Sequence, residues 1–366
     1  MDEQIKKTEH IHKKMLEERV LDLLAIGTVA DCVNLIGENR ALTKKGLEML
    51  SSTKRLGLLE LFAVSGIDVN SDIKSWNVGF QIGPRLNASG RMADPIDSFN
   101  LIIENDKTHA KNLSRKLENN NKLRQSEMQL AFLEAQKKID SEIKIKDKII
   151  IVKSSKWQEG ILGLVASKIV EKYFLPAIVL KEKKEILVGS ARSIEGIDII
   201  NILEENKQYI ISFGGHKMAA GLRVKVDGFD KFRQEIINLT NKKVPDILLR
   251  KKLKVDAISN NLENIDLKLY DQIEKMRPFG ESHKTPVVML QNVEISDVRL
   301  IGKEKNHSSF QIGDGLRAVY FNFKDKLDLR KNFDICGNLT LNTWGGRKRV
   351  EFKVIDLRQS SDVIGA

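Results

Sequence analysis

The chain has 366 residues, too many for one ordinary core, and this length predicts two or three domains. Its 41% hydrophobic and 30% charged residues describe a soluble globular protein, and no apolar run of 18 residues is present to span a membrane. The formal charge of +11 favours a polyanionic partner, nucleic acid first, while only Cys32 and Cys336, far apart in the chain, exclude a disulfide framework and a thiolate metal site. A reducing, cytoplasmic setting is the expectation.

Residues 1–19 are strongly charged and carry no apolar core of the kind a signal peptide needs. The apolar run Val20 to Ala30 suits a buried segment of an α/β layer that ends at Asp31. Residues 41–62 show helical apolar spacing, with a break expected at Gly57. Gly79 to Gly90 reads as a loop rich in glycine and polar residues. Between Ile96 and Ile139 there is neither proline nor glycine, and Leu113, Leu117, Leu123, Met128, Leu130 and Leu133 recur among charges. This predicts one long helix with room for a single break.

Strands are predicted at Lys148–Val152, Ala177–Leu180 and Ile186–Ser190, around an amphipathic helix from Gly160 to Tyr173. That alternation indicates an α/β domain closing near Leu239, with a linker at Thr240–Pro245. Short strand candidates then follow at Val287–Leu290, Val293–Ile295, Ser308–Ile312, Leu316–Phe321 and Val350–Ile355, separated by glycine and asparagine turns. They predict a small β-barrel. Its aromatic residues, set among Lys and Arg, suit either base stacking or the barrel core.

Four places carry candidate chemistry. Ser212 to Gly221 holds Gly214, Gly215 and His216 beside small residues; it suits an anion held on backbone N–H groups, or a tight turn entering a packed helix. Gly83 to Arg91 offers Arg85, Asn87 and Arg91, and arginine forks match phosphate oxygens. Ser190, Arg192 and Ser193 follow a strand and offer two hydroxyls flanking a guanidinium. Asp31 stands where open α/β folds place ligands and has the oxygen chemistry that Mg²⁺ or Mn²⁺ prefers, although a turn aspartate explains it equally well. The chain has no P-loop, no CxxC pair, no HExxH and no Asp-His-His group.

Taken in order, Leu24–Asp31, Gly83–Arg91, Gly189–Ser193 and Gly214–His216 with Ala219–Gly221 resemble the RecJ family, single-stranded-DNA-specific 5′→3′ exonucleases of the DHH phosphoesterase superfamily. The resemblance covers nearly the whole chain. It implies a mixed α/β fold: a partial DHH domain at 1–97, a connecting helix at 98–140, a DHHA1 domain at 141–240 and an OB-like nucleic-acid-binding barrel at 246–356. It also implies that Asp31 is the catalytic metal ligand for Mn²⁺ or Mg²⁺. The phosphate-binding residues it implies are Arg85, Asn87, Arg91, Ser190, Arg192, Ser193, Gly214, Gly215 and His216.

The family's remaining metal motifs are expected upstream of Met1, so the chain resembles the C-terminal two-thirds of such a protein. Metal binding and catalysis then depend on ligands supplied elsewhere, from a second polypeptide for example. The implied partner is single-stranded DNA, in repair and recombination. A catalytically inactive strand-binding module is the alternative; a phosphoesterase for short oligonucleotides or cyclic dinucleotides is a weaker third option. Two departures from the family pattern stand out, Trp157-Gln158 and Pro278 to Lys284.

Overall fold

The structure, a computed structural model, describes residues 20–68, 71–142, 147–325 and 327–360. The expected charged N-terminal segment lies outside the described residues. The chain forms two compact units. One takes the residues through Leu50, Ile73–Ser75 and those from Leu253 onward; the other takes Ser51–Asp72 and Trp76–Lys252.

In the first unit, helix α1 (20–30) contains the apolar run before Asp31, and α2 spans Gly37–Leu50. Gly46 lets the two helices touch, because a Cβ there would strike the Leu21 carbonyl. The Pro278–Lys284 stretch is a latch within this unit. Leu35 N–H donates to the Glu281 carbonyl at 2.8 Å, and Ser282 Oγ donates to Asn34 Oδ1 at 2.9 Å.

The second unit begins with α3 (Leu56–Ser65); after the single turn α4 (Ser75–Asn77), whose first residue belongs to the first unit, come a π-helical stretch Val78–Ile82 and α5 (Gly83–Met92). Gly57 does not break a helix as expected. It lies in the first turn of α3, where the missing side chain admits the Leu101 carbonyl; the helical break falls at 51–55 instead. Gly83 to Arg91 is helix rather than loop. Pro84 follows closely on the π-helical stretch, and Ala88 and Ser89 are buried. The long apolar pattern divides once, into α6 (Ile96–Ile103) and α7 (Lys107–Glu142). Asp106 caps the second helix by accepting from His109 N–H at 2.7 Å. Leu113 and Leu117 are buried, whereas Leu123, Leu130 and Leu133 are exposed.

A five-stranded sheet follows, in the order β1-β2-β3-β5-β4. Its strands are β1 (Ile150–Ser154), β2 (Ala177–Lys183), β3 (Ile186–Arg192), β4 (Ile210–His216) and β5 (Ala219–Lys225). Helix α8 (Leu162–Tyr173) and α7 cover one face through Val152, Val165, Ile169 and Val179. The short α9 (Ile199–Glu204) and α10 (Phe229–Lys243) cover the other through Leu187, Leu203, Leu222 and Phe232. The first four residues of the expected linker Thr240–Pro245 are the last turn of α10, because Thr240 is buried and bonds back to the Ile236 carbonyl at 2.7 Å.

The first unit closes with α11 (Leu267–Lys275) and a seven-stranded sheet, ordered β6-β7-β11-β12-β10-β9-β8. The strands are β6 (Ala257–Ser259), β7 (Val288–Val293), β8 (Ile295–Ile301), β9 (His307–Ile312), β10 (Leu316–Tyr320), β11 (Phe333–Asn342) and β12 (Arg349–Gln359). The sequence pattern misses β11, which is central. Gly337 interrupts its apolar alternation at a bulge, yet only glycine fits there against the Lys353 carbonyl.

Candidate nucleic-acid interface

Strand register builds a platform on the α8 face of the five-stranded sheet. Val179, Ser190, Gly221 and Gly214 lie in one row across the strands; Ala177, Arg192, Ala219 and His216 form the next. Side chains in register share a face, so these rows continue the face that Val152 and Val179 bury under α8. Over β4 and β5 Gly214, His216, Gly221 and Arg223 are exposed. The result is a floor of glycine and alanine bordered by Arg192, Arg223 and His216.

Arg192 is held at the border by neutral partners. Its Nη1 donates to Ser190 Oγ and to the Ala191 carbonyl, each at 2.8 Å. The guanidinium lies against the first turn of α8: a Cβ on Gly163 would be 2.7 Å from Nη2. A helix N-terminus carries partial positive charge, so a cation there is unfavourable until an anion joins it. Burial, and then repulsion from Arg91, pull the Arg192 guanidinium below its ordinary pKa. The site is therefore electrostatically prepared for a negative ligand.

The Gly83–Arg91 segment meets the same region. Arg91 Nη1 donates to the Gly160 carbonyl at 3.3 Å, and Gly160 has no side chain because the Arg91 carbonyl occupies that space. Asn87 and Arg91 are both exposed and one helical turn apart on α5. Arg85 is engaged differently, pairing with Glu118 of α7 at 2.6 Å and donating to the Gln81 carbonyl at 2.8 Å. Ser193 is buried, and its hydroxyl donates to the Ile197 carbonyl at 2.7 Å. That bond shapes the turn after β3 and turns Oγ inward.

Gly214, Gly215 and His216 form the end of edge strand β4 rather than the turn itself, which is Lys217-Met218. Ser193 N–H donates to the Met218 carbonyl at 2.9 Å and Ile199 N–H to that of Lys217 at 3.0 Å, fixing the hairpin tip. Gly215 has φ 150°, and a Cβ there would strike the Ala219 carbonyl, so the position requires glycine. Asp31 lies in the other unit, exposed, at the C-terminal end of α1, with its N–H on the Gly27 carbonyl at 3.0 Å.

Residues 146–242 match the DHHA1 domain family and residues 257–356 the RecJ OB domain family. The single-stranded-DNA-specific exonuclease RecJ of Bacillus subtilis is 33% identical over 93% of the chain, which covers 44% of that protein. Its Haemophilus influenzae counterpart is 33% identical over 92% of the chain, covering 61%. The crystal structure of RecJ from Thermus thermophilus in complex with Mg²⁺ superposes with a TM-score of 0.82 at 25% identity. That match spans 92% of this chain and 52% of the other, and a Mn²⁺ complex of the same protein matches equally well.

The chain is similar to RecJ proteins along nearly its whole length.

It spans about half the length of the RecJ relatives it matches, rather than the two-thirds expected. The RecJ metals do not fit Asp31 by itself. Among the described residues no three His, Cys, Asp or Glu side chains converge on a possible ion. Two-metal hydrolysis needs several such groups to fix both ions. The RecJ barrel expectation resolves mostly toward the core: Phe310, Phe333 and Phe352 are fully buried. Phe321 is exposed, with Lys353 Nζ 5.4 Å from its ring centre. A cleft of about 1180 Å³ in this domain is bordered by Arg347, Lys348 and Arg349. Sequence reasoning missed Arg223 and Arg124 in the other unit. The signal for Arg223 was available, since it lies two residues beyond Gly221 and strand alternation puts both on one face.

Proposed function

We propose that the chain is the strand-binding part of a single-stranded-DNA-specific 5′→3′ exonuclease acting in DNA repair and recombination. The glycine-floored platform holds the phosphodiester backbone, and Mn²⁺ or Mg²⁺ is bound by ligands supplied together with Asp31 from sequence beyond these 366 residues. The observation that carries this reading is Arg192, fixed by neutral acceptors beside a helix N-terminus. Phosphate satisfies that arrangement. A neutral ligand does not. Arg91, Arg192 and His216 supply the charged and polar donors, Ser190 orients Arg192, and Gly214 and Gly215 let the backbone approach the strand. Asn87 borders the same surface. Arg85 and Ser193 act indirectly, through α7 and the turn after β3. Among the described residues no helix is long and apolar enough to cross a membrane, and the two unpaired cysteines support a cytoplasmic site of action.

The test joins this chain to the N-terminal portion of the Bacillus subtilis relative and follows Mn²⁺-dependent nucleotide release from a 5′ single-stranded end. Release is expected, and its absence from a folded assembly refutes the nuclease reading. The second reading, a strand-binding module without catalysis, is favoured by an intact phosphate platform in a chain whose described residues hold no metal cluster. It requires binding of single-stranded DNA that weakens with salt and persists in EDTA. Binding abolished by EDTA would exclude it.

A further inference from the structure

The long helix α7 carries two buried donors that find no acceptor. Asn120 Nδ2 and Arg124 Nε are both shielded from water, and neither has a hydrogen-bond partner among the described residues. Asn120 and Arg124 are one turn apart and therefore share a face of the helix. Arg124 makes one hydrogen bond, from Nη2 to Oδ1 of the buried Asn121 at 2.9 Å, and among the described residues no acid pairs with it. Leaving such donors unpaired in a buried place destabilises the fold. A fold tolerates that cost at a site where a ligand supplies the acceptor.

Position indicates which ligand. Helix α5, which bears Arg91, lies along α7 and is tied to it by the Arg85–Glu118 pair. Farther along α7, Gln129 accepts from Lys168 of α8 at 2.7 Å. Arg124 thus lies on the stretch of α7 between its contacts with α5 and with α8, the helices that present Arg91 and back Arg192. Burial, and then the charges of Arg91 and Arg85, pull its guanidinium below the ordinary value. Only an anion relieves both the repulsion and the missing acceptors.

We propose that Asn120 and Arg124 form a second phosphate subsite, which receives the phosphodiester group next to the one held by Arg192. This rests on the reading of the platform as a strand-binding surface. The subsite makes the connecting helix part of the binding site, not merely a spacer between domains. It recognises the backbone of the strand and is indifferent to base identity.

The test uses the full chain, a fluorescent oligothymidylate, anisotropy titrations at several salt concentrations and EDTA throughout. Arg124→Gln is expected to weaken binding by about tenfold. It should also reduce the slope of log affinity against log salt by about 0.7, the value for one phosphate contact on a single strand. Arg124→Lys should restore the slope but only part of the affinity, since it keeps the charge and loses the fork. Asn120→Leu removes an orphan donor, so it should raise the melting temperature of the free protein while weakening DNA binding. A purely structural Asn120 would instead lower the melting temperature and leave the DNA affinity unchanged, and this result overturns the proposal. So does wild-type affinity and slope in folded Arg124→Gln when Arg192→Ala binds weakly; the platform reading then survives alone. Absence of binding by the wild-type chain even at low salt overturns both.

Discussion

In and around the seven-stranded sheet, several arginines are matched with acids. Arg299 and Arg317 share Asp297 at 2.7 and 2.9 Å, Arg358 bonds Asp334 at 3.0 Å, and Arg330 pairs with Asp328 at 2.9 Å. In the five-stranded sheet and the helices against it, Arg192, Arg91 and Arg124 meet only hydroxyl, carbonyl and amide oxygens. Arg85 is the exception, paired with Glu118. Both regions are basic, so net charge does not distinguish them. On the proposed reading, an arginine held in place without a counter-charge receives a ligand, whereas one matched to an acid serves structure.

The largest expected effect tests the structural side of that contrast. Asp334 is buried and accepts from Asn292 N–H, from two Arg358 nitrogens and from Ser360 Oγ. Asp334→Ala should destabilise the OB-like domain by about 1–3 kcal/mol, because it leaves several hydrogen-bond donors without their acceptor while the half-exposed Arg358 is solvated by water. Denaturant unfolding measures this, and the DHHA1 domain should be untouched. The same carboxylate sharpens the point through pH. Burial raises its pKa, but the hydrogen bonds and Arg358 outweigh burial and hold it below the usual carboxylate range. Its stabilisation is therefore present above the unfolded aspartate value of about 3.9 and is lost as pH falls through the depressed folded value. An Asp334→Asn protein should lack this acid-dependent component in melts taken across that range.

Next come effects on binding. Arg192→Ala should weaken single-stranded DNA binding by about tenfold or more, equally across base sequences, with circular dichroism unchanged. Gly163→Ala should reproduce part of that loss, since the new Cβ displaces the Arg192 guanidinium, and its melting temperature should not fall because alanine favours helix. If Gly163→Ala binds DNA normally, Arg192 does not act from the position observed. The smallest effect is expected for Arg299→Ala. That exposed arginine is neutralised by Asp297, so its removal should leave DNA affinity unchanged in the same titration. A large loss there would break the rule drawn from the comparison.

Much of the architecture was legible because periodicity reports burial. The alternation of β1, β2 and β3 with the amphipathic α8 was visible in the apolar spacing, and the break between α6 and α7 fell within an expected helical stretch. Glycine misled in both directions. Gly57, Gly83 and Gly90 suggested breaks or loops, yet they lie inside helices, Gly57 where another segment approaches closely. Gly337 hid a central strand. A sequence shows that a position lacks a side chain. It does not show whether φ or a neighbour requires that lack.

The chemistry divides in the same way. The sequence by itself determined the family motifs, the excess positive charge, and the arginines, serines and glycines available for phosphate. Tertiary structure alone decided which of them are free to act. It paired Arg85 with Glu118, turned the Ser193 hydroxyl into a loop, and set Arg192 on Gly163 beside a helix N-terminus. It also left donors on Asn120 and Arg124 without acceptors in the middle of a long charged helix. The reason is physical: an ion pair, a buried hydroxyl or an orphaned donor is a relation between groups distant in the chain, and residue identity and local spacing do not encode it.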